Sequence, residues 1–428
     1  MKTRTKTQRF KGTENFADFA PLREALRLAR RGYGATSPNP MVGAVLVKGG
    51  KIIGCGWHRR TGLPHAEIEA LRDAQKHGHN PKGSTLYVTL EPCCTYGRTP
   101  PCTDAIIAAG IKRVVVGAID PNPKHAGKGL KILKRAGIEV VWWGERTRKP
   151  KNKSKHGSSV ASPHQILANE CRQLNEAFNH WIVHRIPFVT VKAAMTLDGK
   201  IATASGQSKW ITGEKARAYG LKLRQGSDAI LVGINTILAD DPSLTARIGA
   251  PSTASACRTP RLRRIILDSL ARTPLNAKVV SDKYAALTTI VVSKCAPEKR
   301  VAALAKRVNV LIAPTTKAGR AVPSAPSSAR SESAPYHQID LRWLLKKLGA
   351  QNVTSLLVEG GGEVNASFLL GGLAHRVAFF YAPKILGGCE ARKAVAGDGA
   401  RSLAEALSLR DMEWRRLGPD LLLTARVM

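Results

Sequence analysis

Short apolar runs and helical patches alternate along the chain. Residues 17–31 carry apolar positions at helical spacing and stop at Gly32. Val42 to Val47 is a short apolar run that turns at Gly49-Gly50 into Ile52-Ile53, a hairpin pattern. Beyond it the pattern predicts a helix over Ala66 to Lys76, a strand over Leu86 to Leu90 and a helix over Thr103 to Ala109, closed by Gly110. A strand over Arg113 to Ala118, a helix over Lys128 to Arg135 and a strand over Ile138 to Trp143 follow. Such alternation predicts a sheet covered by helices on both faces.

The pattern breaks at ERTRKPKNKSKH, Glu145 to His156, which is basic, contains proline and has no apolar face. It reads as a solvated linker. Helical periodicity returns from Ile166 to Trp181 and leads into a second α/β region. There, strands are predicted over Phe188 to Ala193, Ala229 to Val232, Arg264 to Leu267, Thr289 to Val292, Ser355 to Val358 and Val377 to Tyr381. Helices are predicted over Glu214 to Arg224, Leu341 to Leu348 and Val364 to Leu370. Pro251 to Cys257 and Ala313 to Pro335 are rich in Ala, Ser, Pro and Thr and read as surface insertions. The expected organisation is a first domain at 17–144, a basic linker at 145–163 and a second domain at 187–428.

Composition narrows the choices. Of 428 residues 43% are hydrophobic and 23% charged, which excludes disorder throughout and collagen-like structure. Lys and Arg number 67 against 31 Asp and Glu, a net charge of +36 that favours anionic partners. No apolar run approaches the ~20 residues of a membrane helix. The N-terminus lacks the apolar segment of a secretory signal. A cytoplasmic protein with no membrane partner is expected. Of eight cysteines, Cys93, Cys94 and Cys102 crowd into one stretch, which points to metal or catalysis rather than to crosslinks.

That stretch joins His65-Ala66-Glu67 at a predicted helix start. Pro92-Cys93 follows a strand, and Cys102 opens the next helix. One imidazole and two thiolates from His65, Cys93 and Cys102 suit Zn2+, one per chain, and leave a fourth position for water. Glu67 is placed to carry protons without binding the metal. An H-x-E followed by P-C is the pattern of zinc base deaminases. The competing readings are a structural zinc, which more often has four protein ligands, and a chance cluster.

TLEPCCTYGRTPPC, PNPMVGAVLV and CGWHRRTGLPHAE closely resemble the deaminase half of the bifunctional riboflavin-biosynthesis enzymes. VKAAMTLDGKIATASGQSKWIT, LVGINTILADDPSLTAR, LLVEGGGEVNASFLLGGL and YAPKILGG resemble the reductase half. The resemblance implies a cytidine-deaminase-like α/β/α sandwich followed by a dihydrofolate-reductase-like α/β domain. It implies hydrolytic deamination of a diamino-phosphoribosylaminopyrimidinone, then NADPH-dependent reduction of its ribosyl group. It assigns zinc to His65, Cys93 and Cys102, the proton shuttle to Glu67 and a substrate contact to Asn39. For NADPH it implies Ala194, Trp210, Thr236, Asp240, Ser269 and the run Gly361, Gly362, Glu363, Val364, Asn365, Ala366 and Ser367. For the substrate it implies Lys192, Ser208, Arg224, Leu244, Arg247 and Glu359, with Arg224 and Arg247 as clamps on the 5′-phosphate. Lys192 and Asp198 stand where nicotinamide and ribose should meet. A homo-oligomer is expected.

The chain departs from the family at Cys94-Thr95, where many members carry Ser-His. The ligands are untouched, but a hydrogen bond from the usual histidine to the substrate is put in doubt. A zinc deaminase acting on tRNA or single-stranded DNA is the main alternative, and a non-enzymatic nucleic-acid protein the second. Aromatics make up only 5%, too few for stacking platforms, and a base editor has no use for a second α/β domain. No specific nucleic-acid partner is therefore expected.

Overall fold

The computed structural model describes residues 18–97, 100–144, 162–246, 262–314 and 339–428. The linker from 145 to 161, the Pro251 to Cys257 stretch, most of the Ala313 to Pro335 stretch and Arg247 lie outside the described residues. The chain divides into two compact units, Met1–Asn175 and Glu176–Met428.

The first unit runs α1 (Phe19–Ala29), β1 (Gly43–Lys48), β2 (Lys51–Trp57), α2 (Ala66–Lys76), β3 (Thr85–Leu90), α3 (Cys102–Ala108), β4 (Arg113–Ala118), α4 (Lys128–Arg135), β5 (Glu139–Trp142) and α5 (Pro163–Leu174). Its sheet has the order β2-β1-β3-β4-β5. β1 pairs antiparallel with β2 and β3, while β3, β4 and β5 are parallel. Gly49 and Gly50 make the β1–β2 turn with φ of 56° and 74°, a left-handed pair that side chains rarely adopt. Alternate residues of each strand face opposite layers. Ala44, Leu46 and Val88 pack against Ala70, Ile106 and Leu133 on one side, and Val45, Tyr87 and Val115 against Leu22, Leu26 and Leu167 on the other. The expected α/β/α sandwich is therefore present. Helix α2 lies hard against β2: a Cβ on Gly54 or Gly56 would stand 2.4 or 2.3 Å from the carbonyl oxygen of Ala70 or Ala66. That contact fixes where α2 begins.

The helix expected over Ile166 to Trp181 is two helices. α5 ends at Leu174 and α6 (Glu176–His184) begins the second unit. At the break the Asn175 side chain accepts from the Met41 N–H at 2.7 Å and donates to its carbonyl at 2.8 Å. Asn175 thus belongs to the first unit while the next helix belongs to the second.

The second unit continues with β6 (Phe188–Thr196), β7 (Lys200–Ala202), α7 (Glu214–Gln225), β8 (Ala229–Gly233), α8 (Ile234–Asp240), β9 (Arg263–Leu267), α9 (Lys278–Ser281), β10 (Thr288–Ser293), α10 (Glu298–Ala305) and β11 (Asn309–Ala313). Then come α11 (Leu341–Ala350), β12 (Ser355–Val358), α12 (Gly362–Leu369), β13 (Arg376–Ala382), β14 (Arg392–Lys393), β15 (Leu409–Leu417) and β16 (Asp420–Val427). The main sheet has the order β11-β10-β9-β8-β12-β6-β13-β16-β15. It is parallel from β11 to β13, and the β15–β16 hairpin closes it antiparallel. The chain builds outward from β6 through β8 to β11, then returns to lay β12 between β8 and β6. A reversal of strand order opens a crevice at the carboxyl ends of the strands beside it.

Candidate functional site

In the first unit His65 is the residue before the first turn of α2, in extended conformation, and Cys102 is the first residue of α3. Cys93 follows β3 by three residues. The Cys93 and Cys102 sulfurs lie 3.5 and 3.3 Å from His65 Nδ1. The three ligand atoms fall within 4.8 Å of one another, the one such cluster among the described residues. Tetrahedral zinc, about 2.3 Å from sulfur and 2.1 Å from nitrogen, holds such donors about 3.6 Å apart. The donor set therefore fits the ion and leaves one position open.

The Cys102 backbone N–H also faces the Cys93 sulfur at 3.4 Å. The Cys102 thiol hydrogen-bonds to Cys93 and holds its pKa well below the usual thiol range, with His65 helping. The same bond drives Cys102 upward. Glu67 is buried in the first turn of α2. Burial pushes its carboxyl up to about 7 against the opposing pull of His65. A carboxyl that titrates near neutrality can take up and give back a proton within one cycle.

Asn39 follows the cis Ser37-Pro38 bond. Its amide nitrogen lies 3.2 Å from His58 Nε2, and His58 Nδ1 lies 3.1 Å from the Pro64 carbonyl. The His58 ring stands edge-on to His65 with centroids 5.3 Å apart. The sequence reading passed over His58, although it sits inside CGWHRRTGLPHAE.

Cys94 turns elsewhere. Its sulfur lies 3.6 Å from Nδ1 of His125, a buried residue, while His125 Nε2 is 3.5 Å from Thr95 Oγ1. An imidazole from the β4–α4 loop thus stands against the two residues that replace Ser-His. That loop is held by the buried Glu91 carboxylate, which accepts from the N–H groups of Asp120, Gly127 and Gly129 at 3.2, 2.9 and 3.0 Å. His125 was also missed.

In the second unit the expected residues gather at the carboxyl ends of four adjacent strands. Lys192 and Ala194 share one face of β6, and Glu359 to Gly362 follow β12. Thr236 and Asp240 lie on α8 after β8, and Ser269 follows β9. Gly361 caps α12 without a side-chain cap, so its first-turn N–H groups are open to an anion. A Cβ on Gly361 would meet nothing within 4 Å, whereas one on Gly362 would stand 2.4 Å from the Lys393 carbonyl. The loop is tight underneath and open outward, which fits a pyrophosphate. Glu363, Val364, Ala366 and Ser367 complete the first turns of α12; Glu363 is raised by burial, and Ser367 donates to the Glu363 carbonyl at 2.8 Å. Asn365 is fully buried and donates to the Ala394 carbonyl at 2.8 Å, so its side chain braces the helix rather than facing outward.

Glu359 and Arg224 form a bidentate pair at 2.8 and 2.9 Å, with Lys192 at 3.5 Å from the same carboxylate. These cations hold the Glu359 carboxyl down to about 2 in spite of its burial. The third Arg224 nitrogen donates to the Thr245 carbonyl at 3.2 Å. All three guanidinium nitrogens of Arg224, expected as a clamp on the 5′-phosphate, thus have partners within the protein. Leu244 is buried in an apolar core and offers a ligand only its backbone. Ser208 lies 3.4 Å from Asp240, and the exposed Trp210 stacks under Arg217 at 4.6 Å. Asp198 accepts from Leu386 and Gly387 N–H and from the Thr196 hydroxyl, so it braces the loop after β13.

Residues 18–118 match the family described as the cytidine and deoxycytidylate deaminase zinc-binding region, and residues 187–423 match the RibD C-terminal domain. The chain is 42% identical to the riboflavin biosynthesis protein RibD of Aquifex aeolicus, covering 94% of this chain and 96% of that one. It is 37% identical to RibD of Escherichia coli, covering 94% and 97%. Among solved structures it is similar to Acinetobacter baumannii RibD, with TM-score 0.74, 33% identity and coverage of 96% and 99%. It is also similar to a Thermotoga maritima diaminohydroxyphosphoribosylaminopyrimidine deaminase/5-amino-6-(5-phosphoribosylamino)uracil reductase, with TM-score 0.71, 31% identity and coverage of 96% and 99%. A zinc-type deaminase unit joined to a reductase unit, matched end to end, makes this chain a member of the RibD family, bifunctional deaminase/reductases of riboflavin biosynthesis.

Proposed function

We propose that the first unit hydrolytically deaminates 2,5-diamino-6-(5-phosphoribosylamino)pyrimidin-4(3H)-one and the second reduces the ribosyl group of the product to a ribityl chain. The observation that carries this reading is the meeting of His65, Cys93 and Cys102 beside the buried Glu67. Those three side chains would hold zinc, which when bound supplies an activated water at its open position. Glu67, buried beside them, would be the group that holds a proton and returns it to the departing amino group. Asn39 binds the pyrimidine edge.

In the second unit NADPH, when bound, supplies the hydride. The backbone of Gly361, Gly362 and the first turn of α12, through Ser367, cradles its pyrophosphate. Ala194, Trp210, Thr236, Asp240 and Ser269 border the rest of the cofactor. Lys192, Ser208, Arg224, Leu244, Arg247 and Glu359 border the substrate. Arg224 and Lys192 both hold Glu359 there, and Arg224 and Arg247 supply the cations for the 5′-phosphate. Positioning rather than acid–base strength governs such a transfer.

The protein is also proposed to act on small phosphorylated pyrimidines without a specific nucleic-acid partner, in the cytoplasm, as a homo-oligomer. Support for self-association comes from β15, an exposed edge strand carrying Met412 and Trp414. No helix among the described residues is long and apolar enough to cross a membrane.

The test is to supply the purified zinc-loaded protein with the pyrimidine phosphate, with and without NADPH, and to identify products by mass. Deamination alone is expected without NADPH, and deamination followed by reduction with it. Absence of ammonia release would overturn the reading.

A further inference from the structure

Resting on the deaminase reading of the first unit, we propose that His58 is a positioning residue. It fixes the Asn39 carboxamide so that Oδ1 accepts a hydrogen bond from an N–H of the pyrimidine substrate.

The polarity of the pair is set at Pro64. Its carbonyl can only accept, so the His58 Nδ1 facing it at 3.1 Å carries the proton. His58 is buried, and its other ring nitrogen, Nε2, faces the Asn39 amide nitrogen, which can only donate. A neutral ring protonated at Nδ1 has a bare Nε2, which can only accept. Asn39 lies 3.2 Å from that nitrogen and must present its amide N–H there. The carbonyl end of the carboxamide is then turned away from His58. Asn39 Oδ1 has no hydrogen-bond partner among the described residues. An oxygen held in this way selects a donor, and an aminopyrimidine has ring and exocyclic N–H groups to give.

The geometry ties this selection to the metal ligands. Pro64 immediately precedes His65, and the His58 ring packs edge-on against the His65 ring. One imidazole therefore touches the ligand-bearing segment on one side and sets the polarity of the substrate contact on the other. Asn39 is locally supported too, since its backbone N–H donates to the Thr36 carbonyl at 2.8 Å. Its side-chain rotation about the last bond is the freedom that His58 removes.

The experiment compares the full-length zinc-loaded protein with His58→Phe, His58→Gln, Asn39→Ala and the His58→Phe/Asn39→Ala pair. Zinc content, deaminase kcat and KM, and reduction of the already deaminated intermediate are read for each. His58→Phe is expected to keep one zinc per chain and full reductase activity. It should lose about tenfold in deaminase kcat/KM, the equivalent of one well-placed hydrogen bond. Gln can donate and accept with one amide, so His58→Gln should recover most of that loss. The double variant should be no worse than Asn39→Ala, because His58 acts through Asn39. Additive losses in the double variant would overturn the proposal. So would loss of zinc from both His58 variants, which would make His58 a support for His65 instead. Failure of the deaminase reading is recognised separately: Glu67→Gln would then leave ammonia release intact.

Discussion

The two units carry chemistry in contrasting ways. In the first, the reacting groups come from 38 residues of sequence, His65 to Cys102, and sit at two helix starts pinned to one sheet. In the second, they are drawn from residues 192 to 367 and meet because the chain returns to lay β12 between β8 and β6. The first site is a cluster of one imidazole and two thiols whose spacing fits zinc. The second is a crevice built largely from backbone and from one buried charge cluster. A site made of ligands should fail abruptly when one is altered, and a site made of backbone should fail by degrees.

The largest effects are therefore expected at the metal cluster. Cys93→Ser and Cys102→Ser should each lose most of the zinc and nearly all ammonia release. Glu67→Gln should keep zinc and lose about 10²- to 10⁴-fold in deamination, the range of a missing general acid–base. All three should still reduce the deaminated intermediate. Parallel assays of metal, ammonia and NADPH oxidation check this. Loss of reduction in any of them would break the separation of the two sites.

Legibility followed the same contrast. The bounds of α2, β4 and β12 stood in the sequence, because each is a clean periodic or apolar run ended by a turn signal. His65, Cys93 and Cys102, whose donor atoms the structure brings within 4.8 Å of one another, stand out in the sequence because ligand chemistry leaves few substitutes, and Glu67 stands out through its place in the H-x-E pattern. The pairing of Arg224 with Glu359, 135 positions apart, was not, since nothing local in the chain marks partners across a sheet. Arg264, where the sequence pattern starts a strand, is buried with its fork on Asp282 at 2.7 and 2.8 Å, a pairing that the local pattern does not mark. The β15–β16 hairpin went unseen because β15 is exposed and charged along most of its length and shows no alternation. His58 and His125 give no spacing signal, since an imidazole that holds another side chain, Asn39 or Cys94, keeps no fixed offset from it along the chain.

The backbone-built site can be probed at two neighbouring glycines. Gly361→Ala adds a methyl into open space at a φ of −71°, which alanine accepts. The fold should be unaffected and KM for NADPH should rise about fivefold, roughly 1 kcal/mol. Gly362→Ala drives a methyl into the Lys393 carbonyl and should cost about 1–3 kcal/mol of stability in the second unit. Thermal denaturation and cofactor titration separate the two. Equal stability losses would mean that the loop is held for packing rather than for an anion.

A smaller and gradual effect concerns acid. In the second unit the His180 ring lies 4.1 Å from His375 and 4.6 Å from His184. Burial, aided by the neighbouring imidazoles, lowers His180 to about 3 and His375 to about 4. Both lie below the ordinary histidine value of about 6.5. Between the folded and unfolded values the unfolded chain binds more protons. Stability should therefore be complete above about 6.5 and fall as pH drops toward 4. Glu176, raised by burial near Arg376 and Arg426, opposes the loss at the acid end. Denaturant midpoints from pH 7 to 5 measure the slope. His375→Phe should flatten it, and an unchanged slope would place the acid sensitivity elsewhere.

The smallest effect is expected at Cys94, although it adjoins a metal ligand. Its sulfur faces His125 rather than the cluster of His65, Cys93 and Cys102. Burial raises its thiol, so it is a poor thiolate donor. His65, Cys93 and Cys102 would leave zinc the one position that hydrolysis needs for water, and a fourth thiolate would close it. Cys94→Ser should keep one zinc per chain. A hydroxyl there can still meet His125, so deamination should stay within about twofold, the scale of a change below ~0.5 kcal/mol. Metal analysis and ammonia release beside Cys93→Ser decide the matter. A loss of zinc comparable to that of Cys93→Ser would redefine the ligand set on which the abrupt failure expected of the first site rests.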